Sequence, residues 1–124
     1  MCLRIARLLR RVAPRLQVLA TSRSRLRLAE EQVLEVPPLA LPSDEQPGAW
    51  RDSPAVALFA QRAATLGRDV LASPEDLAAA VQICRRLDGL PLAIELAAAR
   101  LRVLTPRALA SRLQQALPLL KGQA

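Results

Sequence analysis

Histidine is absent from this 124-residue sequence, and lysine occurs only once, at Lys121. Without histidine, the chain has neither the usual general base of enzymes nor the commonest metal ligand. These absences exclude a Ser-His-Asp triad and a histidine-based metal site. The sequence also contains no Gly-Lys-Ser or Gly-Lys-Thr, so it lacks the glycine-rich loop that cradles nucleotide phosphates.

Cysteines and aromatic residues are equally scarce. Cys2 and Cys84 are too few and too far apart for a zinc cluster or a CxxC redox motif, so we expect free thiols in a reducing cytoplasm. With one Trp and one Phe, the core must be aliphatic, and the abundance of Leu and Ala favours helix. The apolar stretch 90–99, interrupted by Glu95, is far shorter than the ~20 residues of a membrane span. We therefore predict a soluble, cytoplasmic chain with no membrane partner.

The positive charge is concentrated at the N-terminus. Residues 1–28 contain eight arginines and no acid, whereas residues 29–124 contain ten basic and eleven acidic residues. Within this start, residues 3–12 place their aliphatic side chains at i, i+3, i+4, i+7 spacing with arginines opposite, which predicts a surface helix ending before Pro14. A basic helix leaves open a small nucleic-acid-binding protein, although no aromatic stacking residue accompanies it.

Two short apolar segments follow this helix. Residues 16–20 and 32–36 have the length and composition of buried strands, and Pro37 and Pro38 stop the second. Thr21-Ser22-Arg23 would lie at the C-terminal end of the first strand, where open α/β folds bind ligands. The planar guanidinium of Arg23 would suit a phosphate there.

The rest of the chain is helical in pattern after a proline-rich stretch. Ser53-Pro54, Ser73-Pro74 and Thr105-Pro106 each combine an N-cap with proline at the first helical position. They predict helices to about Leu66, to about Leu87 and, for the last, to near Pro118. A further helix from Leu92 to about Val103 is apolar on nearly every side, which is typical of a central, buried helix.

We therefore predict a mostly α fold with a small α/β part. Residues 1–40 would form the α/β part, residues 41–52 a proline-rich linker, and residues 53–120 a four-helix unit. The corner Gly89-Leu90-Pro91-Leu92 joins two of these helices. Gly89 permits a left-handed cap and Pro91 begins the next helix, so the corner presents an apolar surface that could pack on a purine ring.

The order of these features resembles a known family. A strand ending in Thr-Ser-Arg, then Pro-Pro-Leu, then SPAVALFAQRA and ICRRLDGLPLAIELAAARL, is similar to the second half of the NB-ARC module of STAND-class signalling ATPases. Within that class it looks most like large bacterial transcriptional regulators of the LuxR and SARP types. The resemblance spans residues 5–121 and is most specific over residues 83–101. It implies the edge of a P-loop-type parallel sheet followed by a four-helix, ARC-type lid subdomain.

The resemblance also implies a site for ATP or ADP. Thr21, Ser22 and Arg23 match the sensor motif whose arginine reads the terminal phosphate of ATP. Gly89, Leu90 and Pro91 match the GLPL motif, whose proline packs near the adenine.

The family's P-loop and its Mg²⁺-binding acid have no counterpart here, so no metal site and no catalytic residue is expected, and the chain alone would not be an enzyme. It would be a fragment of a nucleotide-dependent switch whose partner is the rest of the parent regulator or another P-loop-containing half. DNA would be bound only through domains absent here. The alternatives are a small basic nucleic-acid-binding protein and a helical protein-interaction module.

Overall fold

The computed structural model describes residues 2–122, with side chains described from residue 4 to residue 116. The chain divides into two compact units, Met1–Val36 and Pro37–Ala124. Within the described residues, no helix combines the length and the apolar character that crossing a bilayer requires.

The first unit contains one helix, α1, which spans Cys2–Val12 and confirms the helix predicted for residues 3–12. The backbone N–H of Ala13 still donates to the carbonyl of Leu9 at 2.9 Å, and the chain then turns at Pro14. An ion pair joins Arg10 of α1 to Glu30. The remainder of this unit has irregular backbone.

The predicted strands are the main error of the sequence analysis. Between residues 2 and 122 the structure contains no strand, so the predicted edge of a parallel sheet is wrong. A strand exists only when a neighbouring segment exchanges main-chain hydrogen bonds with it, and the segments 16–20 and 32–36 do not pair. Their apolar side chains lie in solvent, with Leu19 exposed to 96% and Leu34 to 86%. Apolar composition identified segments suited to a sheet, but it could not supply the strands beside them.

The second unit consists of four α-helices and confirms the helices predicted after residue 53. They are α2 (Pro54–Ala64), α3 (Pro74–Arg86), α4 (Pro91–Ala99) and α5 (Pro106–Gly122). Short 3₁₀ helices span Pro47–Asp52 and Arg100–Arg102. Helix α5 extends past Pro118, where the sequence predicted its end.

Local capping explains where two of these helices begin. The hydroxyl of Ser73 accepts the N–H of Asp76 at 3.1 Å, and that of Thr105 accepts the N–H of Ala108 at 3.2 Å. Each bond satisfies a donor that the first helical turn leaves without an intrahelical partner. The third predicted cap, Ser53, instead donates its hydroxyl to the carbonyl of Ala40 at 2.9 Å. Its hydroxyl therefore anchors the preceding segment rather than the helix terminus.

The core of the second unit is aliphatic apart from one phenylalanine and one cysteine. Its largest fully buried side chains lie on α2, α3 and α4, in the 3₁₀ helix Arg100–Arg102 and in the turn between α2 and α3: Phe59, Ile83, Ile94, Leu101, Val56, Val70 and Cys84. Leu109 and Ala110 of α5 are buried against them. The sequence therefore indicated the character of this core correctly.

Helix α4 is less buried than its sequence suggested. It buries Ile94, Ala97 and Ala98, but Leu92 and Leu96 lie on an exposed face. A helix that is apolar on nearly every side has no periodicity to show which side faces the core. The other helices cover only one side of α4, so the prediction of a fully buried central helix was wrong.

Candidate functional site

The predicted corner between α3 and α4 is a tight turn in which two successive residues have positive φ. Asp88 has φ +54° and Gly89 has φ +67°. The N–H of Gly89 donates to the carbonyl of Cys84 at 3.1 Å, and the N–H of Leu90 donates to that of Leu87 at 3.1 Å. These bonds satisfy carbonyls at the end of α3, as left-handed C-terminal caps do. Pro91 then begins α4.

Gly89 is also required by a close backbone contact that the sequence did not reveal. A Cβ atom at this position would lie 2.3 Å from the carbonyl oxygen of Leu39 and 3.4 Å from the side chain of Leu41. In the same contact, the N–H of Leu39 donates to the carbonyl of Gly89 at 2.9 Å. The segment that follows the two prolines at 37 and 38 therefore lies directly on the corner, and only glycine permits this approach.

We call residues 37–52, which lead from this contact to α2, the strap. Arg85 of α3 holds the middle of the strap through one hydrogen bond, one ion pair and one ring contact. Its guanidinium donates to the carbonyl of Pro42 at 2.9 Å, pairs with Asp44 at 2.7 Å, and lies 6.0 Å from the ring centre of Trp50. The indole N–H of Trp50 donates to the carbonyl of Ser43 at 2.9 Å. The proline-rich segment predicted as a linker is thus bound to α3 along much of its length.

The start of α2 fixes the strap near the corner. The N–H of Ala55 donates to the carbonyl of Ala40 at 3.3 Å, and that carbonyl also accepts the hydroxyl of Ser53. Leu39 packs against the buried core, while Pro42 is itself buried. The corner therefore rests on a segment that is held from both α2 and α3.

The outer surface of the corner is apolar and accessible. Leu90, Pro91 and Leu92 are all exposed. Beside them, Glu95 on α4 accepts two hydrogen bonds from Arg62 of α2, at 2.6 and 3.0 Å. The corner thus presents an apolar surface with an ion pair at one side, which is compatible with contact by a planar apolar ring.

Cys84, one turn before the corner, is chemically protected. Its thiol is fully buried, and this burial raises its pKa from 9.0 to about 12. Because the thiolate is the reactive form of cysteine, the thiol is unreactive at neutral pH. Its side chain is part of the buried core.

The other predicted motif, Thr21-Ser22-Arg23, lies in the first unit, in irregular backbone. All three residues are exposed, and the hydroxyl of Ser22 accepts the N–H of Ser24 at 3.3 Å. Arg23 makes no ion pair with the part of the chain whose side chains are described. Its guanidinium is therefore accessible to an anion.

A carboxylate-centred loop follows this motif. Glu31 accepts the backbone N–H groups of Leu26 at 3.0 Å and Leu28 at 3.2 Å, and Arg27 between them has φ +60°. These hydrogen bonds lower the pKa of the Glu31 carboxyl, and the one from Leu26 has the largest effect on that pKa. The carboxylate satisfies two backbone donors of this loop locally.

The six predicted nucleotide-binding residues are thus divided between the two units. Gly89, Leu90 and Pro91 form one continuous corner in the second unit, whereas Thr21, Ser22 and Arg23 form an exposed turn in the first. Sequence reasoning missed Arg85, the residue that anchors the strap. The signals that could have indicated it were the only tryptophan in the sequence, at position 50, and an arginine in the last turn of a predicted helix.

Comparison with known proteins finds relatives that are much longer than this chain. No protein-family model matches the chain, and no solved structure matches it. It is 39% identical over 123 residues to the uncharacterized protein Rv0894 of Mycobacterium tuberculosis, a match that covers 99% of this chain and 29% of the relative. The uncharacterized protein Mb0918 of Mycobacterium bovis matches to the same extent.

A second group of relatives has an informative name. The chain is 41% identical over 109 residues to the Mycobacterium tuberculosis protein named "Putative HTH-type transcriptional regulator Rv0890c". This match covers 88% of the chain and 11% of that relative. The chain therefore spans less than a third of the length of either M. tuberculosis relative, and its similarity to them concerns one region of larger proteins.

Proposed function

We propose that this chain is the sensor and lid region of a nucleotide-dependent switch in a transcriptional regulator. Arg23 would read the terminal phosphate of ATP, and the corner at Gly89, Leu90 and Pro91 would contact the adenine. The regulatory part of this proposal is supported by the relative named as an HTH-type transcriptional regulator. The nucleotide part depends on the motifs and on the geometry of the corner.

The observation that carries the proposal is the construction of the corner. Gly89 is fixed by its positive φ and by the backbone of Leu39, while Leu90 and Pro91 remain exposed beside it. A purely structural turn needs the glycine cap but does not need apolar side chains left in water. An exposed apolar surface of this kind would suit the face of a purine ring.

The chain would supply only part of a nucleotide site. It contains no P-loop sequence to hold the phosphates, and nucleotide phosphates supply most of the charge that such sites recognise. By isothermal titration calorimetry, we expect the chain alone to bind ATP and ADP no more tightly than about 1 mM, a free energy of about −4 kcal/mol. Fusion to a P-loop-containing half of a STAND-class protein should restore tight binding of both nucleotides.

The fused protein allows a sharper test of Arg23. Removing a charge-assisted hydrogen bond to the terminal phosphate should weaken ATP binding about tenfold or more. Arg23→Ala should therefore reduce ATP affinity while leaving ADP affinity nearly unchanged. The matched control is Arg15→Ala, another exposed arginine of the first unit, which should change neither. Equal losses for ATP and ADP in Arg23→Ala would show that this arginine does not read the terminal phosphate.

A further inference from the structure

The first unit carries an apolar face that nothing in that unit covers. Ile5, Leu8, Leu9 and Val12 lie on one side of α1 at i, i+3, i+4, i+7 spacing, and all four side chains are exposed. Val12 alone leaves 77% of its surface in water. Single exposed aliphatic residues are normal in proteins, but a continuous stripe of four on one short helix marks a contact surface.

Arginines occupy the other side of α1. Arg4, Arg7 and Arg11 follow one another at i, i+3, i+7 spacing on this polar side, and all are exposed. Arg10 is partly neutralised by Glu30. The four arginines line an open groove of about 560 Å³ between α1 and residues 28–30. A ligand for this face must therefore combine an apolar interior with a dense negative surface.

We propose that α1 docks on an anionic lipid bilayer, lying in the plane of the interface. Its aliphatic stripe enters the boundary between headgroups and acyl chains, and its arginines contact lipid phosphates. A helix in this position need not span the bilayer, so the length argument behind the prediction of no membrane partner does not apply to it. A bilayer can contact both the aliphatic stripe and the arginines of α1.

Two other partners, a second copy of the chain and duplex DNA, would each contact only one side of α1. A second copy of the chain would cover the aliphatic stripe, but it would leave Arg4, Arg7 and Arg11 on the other side of α1 without an anionic partner. Duplex DNA would pair with the arginines but leave the four aliphatic side chains in water, since phosphate contacts need no apolar stripe. The combination of charge and apolar surface favours lipid.

The test measures binding of the complete chain to vesicles by cosedimentation. We expect binding to vesicles of phosphatidylcholine mixed with phosphatidylglycerol, weak binding to phosphatidylcholine alone, and a decrease as sodium chloride is raised. Val12→Gln should lower the partition coefficient about tenfold, because burial of an aliphatic side chain is lost. Val103→Gln is the matched control, since Val103 is exposed to 80% in the second unit, and it should have no effect.

A paired set of charge variants tests the other side of the helix. Replacing three exposed arginines of α1 by glutamine should weaken binding about fivefold per arginine removed. The control triple variant removes the same charge from exposed arginines of the second unit and should retain binding. The two sets are Arg4, Arg7 and Arg11, and Arg68, Arg102 and Arg107.

Three results would overturn the proposal. One is equal binding by the Val12→Gln and Val103→Gln chains, which would mean that the apolar stripe does not enter lipid. Another is salt-sensitive binding to a short DNA duplex without binding to vesicles. The third is a dimer in sedimentation velocity that Val12→Gln dissociates, again without vesicle binding. The proposal is independent of nucleotide binding, so either can fail without the other.

Discussion

Replacement of Gly89 by alanine would test whether the corner depends on its contact with Leu39. The alanine Cβ would sit 2.3 Å from the Leu39 carbonyl oxygen, so one of two backbone segments must move. The φ of +67° also costs a non-glycine residue about 1 kcal/mol. Movement of Leu39 breaks its hydrogen bond to Gly89, worth about 1 kcal/mol, and disturbs packing against the core. These two contributions give a loss of about 2 kcal/mol, and the disturbed packing adds to it.

Two other glycines separate these causes. Gly67 has φ +73° but nothing within 4 Å of an added Cβ, so Gly67→Ala should lose only the backbone cost of about 1 kcal/mol. Gly48 has open space and no positive φ, so Gly48→Ala should change stability by less than about 0.5 kcal/mol. The order of stability is therefore expected to be Gly48→Ala, then Gly67→Ala, then Gly89→Ala.

The assay is urea unfolding followed by far-ultraviolet circular dichroism, with amide hydrogen exchange as a local readout. The free energy of unfolding gives the three losses, provided that the denaturant slope stays constant across the variants. Exchange at the Leu39 amide should accelerate in Gly89→Ala and not in Gly67→Ala. Equal losses for Gly67→Ala and Gly89→Ala, with unchanged exchange at Leu39, would refute the claim that the strap rests on the corner.

Three further predictions concern the helical unit. Ser73→Ala removes the hydroxyl that accepts the N–H of Asp76. It should lower the free energy of unfolding by about 1 kcal/mol in the same urea assay. A loss below about 0.3 kcal/mol would contradict a stabilising role of this cap. In a Cys2→Ser chain, Cys84 should react with a thiol reagent only as fast as the protein opens. Burial raises the pKa of Cys84 to about 12, so the folded chain keeps this thiol protonated at a pH where the unfolded chain loses the proton. The stability that follows from this difference is complete below pH 9. It is lost as pH rises toward 12, by up to about 1.4 kcal/mol per pH unit. Unfolding curves across that pH range should show this slope, and Cys84→Val should remove it; an equal slope in both chains would contradict it.

The helices of the second unit could be predicted because their signals are local. Ser73 and Thr105 cap helices a few residues away, and Gly89 and Pro91 end one helix and begin the next within a single turn. Such features involve neighbours in sequence, so the sequence alone contains them.

The sheet and the strap could not be predicted for the opposite reason. A strand depends on partners elsewhere, and residues 16–20 find none in the described chain. The strap depends on contacts of Leu39 with Gly89 and of Pro42 with Arg85, each spanning more than forty residues. Proline-rich composition predicts the absence of regular structure, but it does not indicate whether a tertiary contact holds the segment in place.

The strap also bears on how a nucleotide site would work. The corner is held by Leu39 of the strap and by the end of α3, all within the second unit. A surface that is already ordered does not lose conformational entropy when a ligand binds. If the proposed function is correct, weak nucleotide binding by this chain would then reflect missing phosphate contacts rather than a disordered adenine surface. Gly89→Ala in the fused protein should weaken ATP and ADP equally, whereas Arg23→Ala should weaken ATP alone, so the two variants assign the two roles separately.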